Sequence, residues 1–122
     1  GAAALADSYH LGEPVEREVN TLADGLASRY PAERAFAGIR TVADEVLAVS
    51  DEQLLRALHT LAECGHVLVE PAGAAALAGA WSIRDQLKDK RTVLILSGAN
   101  VTMEVLKSEL DTEPLVALAD LV

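Results

Sequence analysis

Aromatic residues are almost missing, since Tyr9, Tyr30, Phe36 and Trp81 are the only four in 122 residues. With apolar residues at 51% of the chain, a core must be assembled from Ala, Leu and Val, and such a core tolerates few gaps. Cysteine occurs once, as Cys64, which excludes an internal disulfide. No metal-ligand spacing surrounds it, so a plain buried thiol in a reducing compartment is expected, with the cytoplasm as the default. Basic residues are few: ten Lys and Arg against nineteen Asp and Glu leave a net charge of −9. They are scattered without a cluster, which argues against nucleic acid and anionic membrane as partners. The longest apolar run, Val67 to Trp81, is broken by Glu70 and Pro71, and no transmembrane segment is expected. No low-complexity tract or Ser/Gly linker divides the chain, so residues 1–122 are read as a single domain. The start, Gly1-Ala2-Ala3-Ala4-Leu5, has neither a charged lead nor a cleavage pattern. It reads as a beginning inside a longer protein and not as a signal peptide.

What is present alternates between helical and extended patterns. Ala2 to Leu11 holds good helix formers and stops at Gly12, with Pro14 barring continuation. Thr21 to Gly25 is read as a short strand or a turn. Pro31 to Arg40 is expected to be helical, and Asp44 to Val49 a strand. Ser50-Asp51-Glu52-Gln53 has the form of a capping box, in which each side chain serves the other's backbone amide. It opens a helix with Leu54, Leu55, Leu58, Leu61 and Ala62 on one face and its end at Gly65. Pro71 to Ala78 is a further helix, whose small side chains would let another backbone come close. Thr92-Val93-Leu94-Ile95-Leu96 is the clearest strand, patterned as if covered on both faces of a parallel sheet. Residues 111–122 are read as a terminal strand or helix. The whole points to an α/β class: a partial open sheet of mainly parallel strands flanked by helices.

Three short segments could carry chemistry. Ser97-Gly98-Ala99-Asn100 puts a hydroxyl and a flexible turn at the carboxyl end of a strand, where open α/β sheets bind ligands. On physics alone Ser97 and Asn100 are read first as satisfying amides where the following helix begins. Glu70-Pro71-Ala72-Gly73 ends an apolar stretch with a carboxylate at a helix start, which the helix dipole explains by itself. Ala23-Asp24-Gly25 is a turn or a place of close backbone approach. His10, His59 and His66 are too scattered for a metal site. Ser97 has neither a His nearby nor a Gly-x-Ser-x-Gly elbow, so it is a poor nucleophile candidate, and a Gly-rich phosphate loop is absent.

The order of these segments says more than each alone. Thr-Leu-Ala-Asp-Gly, then Val-Glu-Pro-Ala-Gly-Ala-Ala, then a strand entering Leu-Ser-Gly-Ala-Asn-Val resembles the C-terminal run of threonine and serine dehydratases and serine racemase. The resemblance runs to about Glu109. It implies the C-terminal part of the large domain of a fold-type II pyridoxal-phosphate enzyme. By that resemblance Ser97 meets the pyridine nitrogen of pyridoxal phosphate, with Gly98 and Asn100 shaping the turn. Glu70 lies beside the ring, Gly25 near the ring hydroxyl, and Asp24 toward the amino-acid substrate. A neutral hydroxyl at the nitrogen makes a weaker electron sink than a carboxylate partner would, which suits β-elimination.

Departures from the family pattern are equally informative. The Schiff-base lysine belongs to an N-terminal Ser-x-Lys segment, whereas the lysines here are Lys88, Lys90 and Lys107 in polar contexts. The family's substrate-carboxylate segment and phosphate cup are also missing, so no catalytic residue is assigned within this chain. Its cation site would draw only the Ala2 carbonyl from this chain, and Ala4 stands where some members carry an acid or Ser; no metal is expected. The implied parent is a homo-oligomeric ammonia-lyase forming a 2-oxo acid from threonine or serine, and the chain alone is expected to be inactive. A racemase, another relative sharing the C-terminal pattern, or a non-catalytic binding or oligomerisation module derived from the same fold remain alternatives.

Overall fold

Short-range chemistry decides where each helix begins and ends. The computed structural model describes residues 1–117 and residue 119. The chain forms two compact units, 1–48 and 49–122.

In the first unit, helix α1 (Ala4–Leu11) ends as expected at Gly12, which takes the left-handed conformation at φ 86° and donates its N–H to Ser8. A side chain other than glycine is strained there. Ala4, Ala6 and Ser8 are buried. The Ser8 hydroxyl is saturated: it donates to the Ala4 carbonyl at 2.6 Å and accepts from the Val15 N–H at 2.9 Å. A buried hydroxyl thereby avoids a desolvation cost and pins the returning chain. Helix α2 (Glu33–Val42) starts two residues later than Pro31 and buries Phe36. Tyr9 ties its far end to α1 by donating to the Ala43 carbonyl at 2.7 Å. Residues 24–26 form a single 3₁₀ turn, which answers the strand-or-turn question in favour of the turn.

In the second unit, helix α3 (Asp51–Glu63) opens with the expected capping box. The Gln53 N–H donates to Ser50 Oγ at 3.2 Å and the Ser50 N–H to Gln53 Oε1 at 2.8 Å. Leu54, Ala57 and Leu58 face inward. They pack on helix α4 (Pro71–Ser82), whose Pro71, Gly73, Ala74 and Ala78 are buried. Large side chains on α3 thus meet small ones on α4, so the helices can approach closely. The end of α3 departs from expectation. The left-handed residue is His66 at φ 52°, and not Gly65. Gly65 is small for another reason, since a Cβ there would lie 2.9 Å from the Leu61 carbonyl oxygen.

A one-turn helix α5 (Arg84–Leu87) follows α4, and α6 (Met103–Leu110) packs against α3. Beyond α6, the outer side of α3 holds residues 112–116 through main-chain atoms. Arg56 donates to the carbonyls of Glu113 and Pro114, His59 Nδ1 bonds the Thr112 carbonyl, and Thr60 Oγ1 accepts from the Leu115 N–H. A carbonyl only accepts, so Nδ1 of His59 carries the proton. Described residues of the tail therefore form neither strand nor helix up to residue 117, while Leu118 and residues 120–122 of the expected terminal element lie outside the described residues.

The expected sheet is corrected: among the described residues no strand forms. Residues 44–49 and 92–96 are non-helical, yet among the described residues they pair with nothing. Val93 and Ile95 are 86% and 78% exposed, so the second segment is not covered on both faces, although Leu94 and Leu96 are half-buried. A strand exists only through hydrogen bonds to a neighbour. The apolar pattern records a demand for cover and says nothing of whether the neighbour is within the chain.

Candidate functional site

The carboxyl end of the extended segment and the start of α4 interlock around Ser97. The Glu70 N–H donates to the Gly98 carbonyl at 3.0 Å. In return, the Asn100 N–H donates to Glu70 Oε2 at 3.2 Å. Gly98 sits at φ 75°, and a Cβ on it would lie 2.3 Å from the Glu70 carboxyl carbon. On the other side, a Cβ on Gly73 would lie 2.1 Å from the Ser97 carbonyl oxygen. Both glycines are therefore demanded by contact, Gly98 additionally by its backbone angle. The close approach expected of the small α4 side chains is made by Gly73 against the main chain of Ser97.

This packing leaves the Ser97 side chain exposed, and among the described residues its hydroxyl joins no hydrogen bond. The reading of Ser97 and Asn100 as amide caps fails on geometry. Helix α6 is capped by Thr102, whose hydroxyl accepts from the Val105 N–H at 3.3 Å, five residues beyond Ser97. The sequence signal for α6 is Thr102 itself, a capping residue directly before Met103-Glu104-Val105-Leu106.

Glu70, Ser97, Gly98 and Asn100 are thus brought together in the second unit. Asp24 and Gly25 belong to the first unit, where both are exposed in the 3₁₀ turn. Ala2 is half-buried ahead of α1. Among the described residues no three His, Cys, Asp or Glu side chains gather closely enough to hold an ion, and no helix is long and apolar enough to cross a membrane.

A titratable group that the sequence did not mark is Glu109, buried on α6 with Oε2 lacking a partner. Burial pushes its carboxyl above the ordinary value of 4.5, and the nearby His59 charge opposes this. The native state then holds the proton more tightly than the unfolded chain does, so stability falls as pH rises from the ordinary carboxylate value through the raised one. Glu109→Gln should remove that decline and strengthen the second unit at neutral pH. Urea midpoints taken from about pH 4 to about pH 8 check this; a slope as steep in the variant as in the parent would contradict it.

The turn thus presents an exposed hydroxyl beside the start of α4. The family described as pyridoxal-phosphate dependent enzyme matches residues 1–98, and the chain belongs to it. It is 42% identical over 95 residues to the L-threo-3-hydroxyaspartate ammonia-lyase of Saccharomyces cerevisiae, covering 78% of this chain and 28% of that protein. It is 37% identical over 98 residues to the serine racemase of Schizosaccharomyces pombe, covering 80% and 30%. The processed threonine deaminase isoform 2 of Solanum lycopersicum superposes with a TM-score of 0.81 at 31% identity, over 97% of this chain and 34% of that one. The chain spans less than a third of the curated relatives just named.

Proposed function

We propose that this chain supplies the ring-nitrogen wall of an amino-acid ammonia-lyase that uses pyridoxal phosphate. The observation that carries this reading is the Ser97 hydroxyl, exposed and unbonded on a turn that Glu70 and Gly73 hold in place. When bound, the group supplies an electron sink for charge developed on the substrate α-carbon. Ser97 would donate to the pyridine nitrogen as a neutral partner without fixing a proton there, which suits loss of the β-hydroxyl of serine or threonine and, after release of ammonia, a 2-oxo acid. Gly98 and Asn100 shape the turn, and Glu70 would lie beside the ring. By the family resemblance, Gly25 would serve the ring hydroxyl and Asp24 the substrate. Residues 1–122 then form one stretch of the large domain of a homo-oligomeric cytoplasmic enzyme whose sheet takes in the extended segments. Cys64, a lone half-buried thiol, fits that compartment.

The test mixes the purified chain with a separately produced N-terminal part of an L-threonine ammonia-lyase, and follows 2-oxo acid release from L-serine and L-threonine. Activity should appear in the mixture and drop roughly ten- to hundredfold with Ser97→Ala, the cost of one hydrogen bond to a charged or polarised partner. D-serine in place of the 2-oxo acid would move the reading to a racemase. No product at any ratio would favour a non-catalytic assembly module.

A further inference from the structure

Glu70 occupies the N-cap position of α4, where a carboxylate that turned back would satisfy free amides and meet the positive end of the helix. It makes no such bond. Its carboxylate instead accepts from the Asn100 N–H, and its own N–H holds the Gly98 carbonyl. Helix capping is thereby given up for a two-point grip on the turn that carries Ser97. The grip is tight: the carboxylate fills the space in which any Cβ on Gly98 would stand. Gly73 closes the opposite side against the Ser97 carbonyl.

We propose that Glu70 is a positioning residue, which acts on the cofactor through Ser97 by setting where that hydroxyl points. This rests on the reading of Ser97 given above. The hydroxyl is exposed and makes no bond of its own among the described residues, so the backbone of residues 97–100 is what directs it. That backbone is left-handed at Gly98, one of several conformations open to glycine at no steric cost, so contacts outside the glycine must select it. The bonds from Glu70 to the glycine's own carbonyl and to the Asn100 N–H make that selection. An acceptor oxygen is what the Asn100 N–H requires, so charge is secondary to shape and glutamine should substitute where alanine does not.

The first arm of the test uses the chain itself. Amide hydrogen exchange followed by NMR should show Asn100 exchanging about five- to tenfold faster in Glu70→Ala, with α3 amides such as Leu58 unchanged and Glu70→Gln close to the parent. If Glu70→Ala does not fold, Gly98→Ala puts the same question from the other side: its Cβ displaces the carboxylate and should release Asn100. Unchanged protection at Asn100 in either folded variant overturns the proposal.

The second arm uses the complemented enzyme and compares the affinity of pyridoxal phosphate with that of its 1-deaza analogue, in which CH replaces the ring nitrogen. The parent and Glu70→Gln should prefer the natural compound by about tenfold, and Ser97→Ala and Glu70→Ala should lose that preference. A preference lost in Ser97→Ala but kept in Glu70→Ala overturns the positioning role. A parent with no preference sinks the reading of Ser97 instead, and the exchange result then decides the grip of Glu70 alone.

Discussion

Gly73→Ala should abolish most of the activity of the complemented enzyme while leaving the helices in place. A Cβ at position 73 would stand 2.1 Å from the Ser97 carbonyl oxygen, against the 3.4 Å or more of ordinary contact. The Cβ is fixed rigidly by its own backbone and its partner is main chain, so neither can rotate away, and the turn must retreat by roughly 1 Å. Alanine gains about 1 kcal/mol of helix propensity over glycine. Forcing an extra methyl into a packed site costs about 1–3 kcal/mol, so the collision wins and the second unit loses a little stability. The functional loss is larger, because a displacement of that size costs on the order of a hundredfold in rate. Kinetics beside a urea melt separate the two effects. Full activity with an unchanged melting curve would mean that α4 and the turn do not touch as described.

The largest loss of stability is expected from Leu58→Ala. Leu58 is 2% exposed on the face of α3 that meets Ala74 and Ala78 of α4, themselves 0% and 1% exposed. Because those neighbours are already small, they have no atoms with which to fill the gap. The change should therefore fall toward the upper part of the usual range of about 2–5 kcal/mol for such truncations. A unit of this size has roughly 4–11 kcal/mol in total, so anything from about a third of its stability to all of it rests on one side chain. Leu55, half-buried on the same helix, is the control and should cost less than half as much. Equal urea midpoints for the two variants would contradict the packing.

Features whose partners lie within four residues were readable from the sequence. Ser50 and Gln53 find each other across one turn, Gly12 closes α1, and Pro71 opens α4. The exception, His66 in the left-handed role expected of Gly65, arose because Gly65 is needed where Leu61 crowds it. Features whose partners lie far away were not readable. The runs 44–49 and 92–96 carry the composition of strands, but pairing is a property of two segments. The site divides in the same way. Ser97 and Glu70 stood out as separate motifs 27 residues apart, and Gly73 showed that something would come near. That the carboxylate of one motif would hold the backbone of the other required the fold, as did the burial of Glu109, whose neighbours Lys107, Ser108, Leu110 and Asp111 are all exposed.

The fastening of residues 112–116 to α3 has an evolutionary corollary. Arg56, His59 and Thr60 take hold of amides and carbonyls, which every residue possesses apart from proline's missing N–H. The tail is thus free to drift in composition while keeping its path, and selection should instead bear down on the three polar side chains of the helix that grasps it.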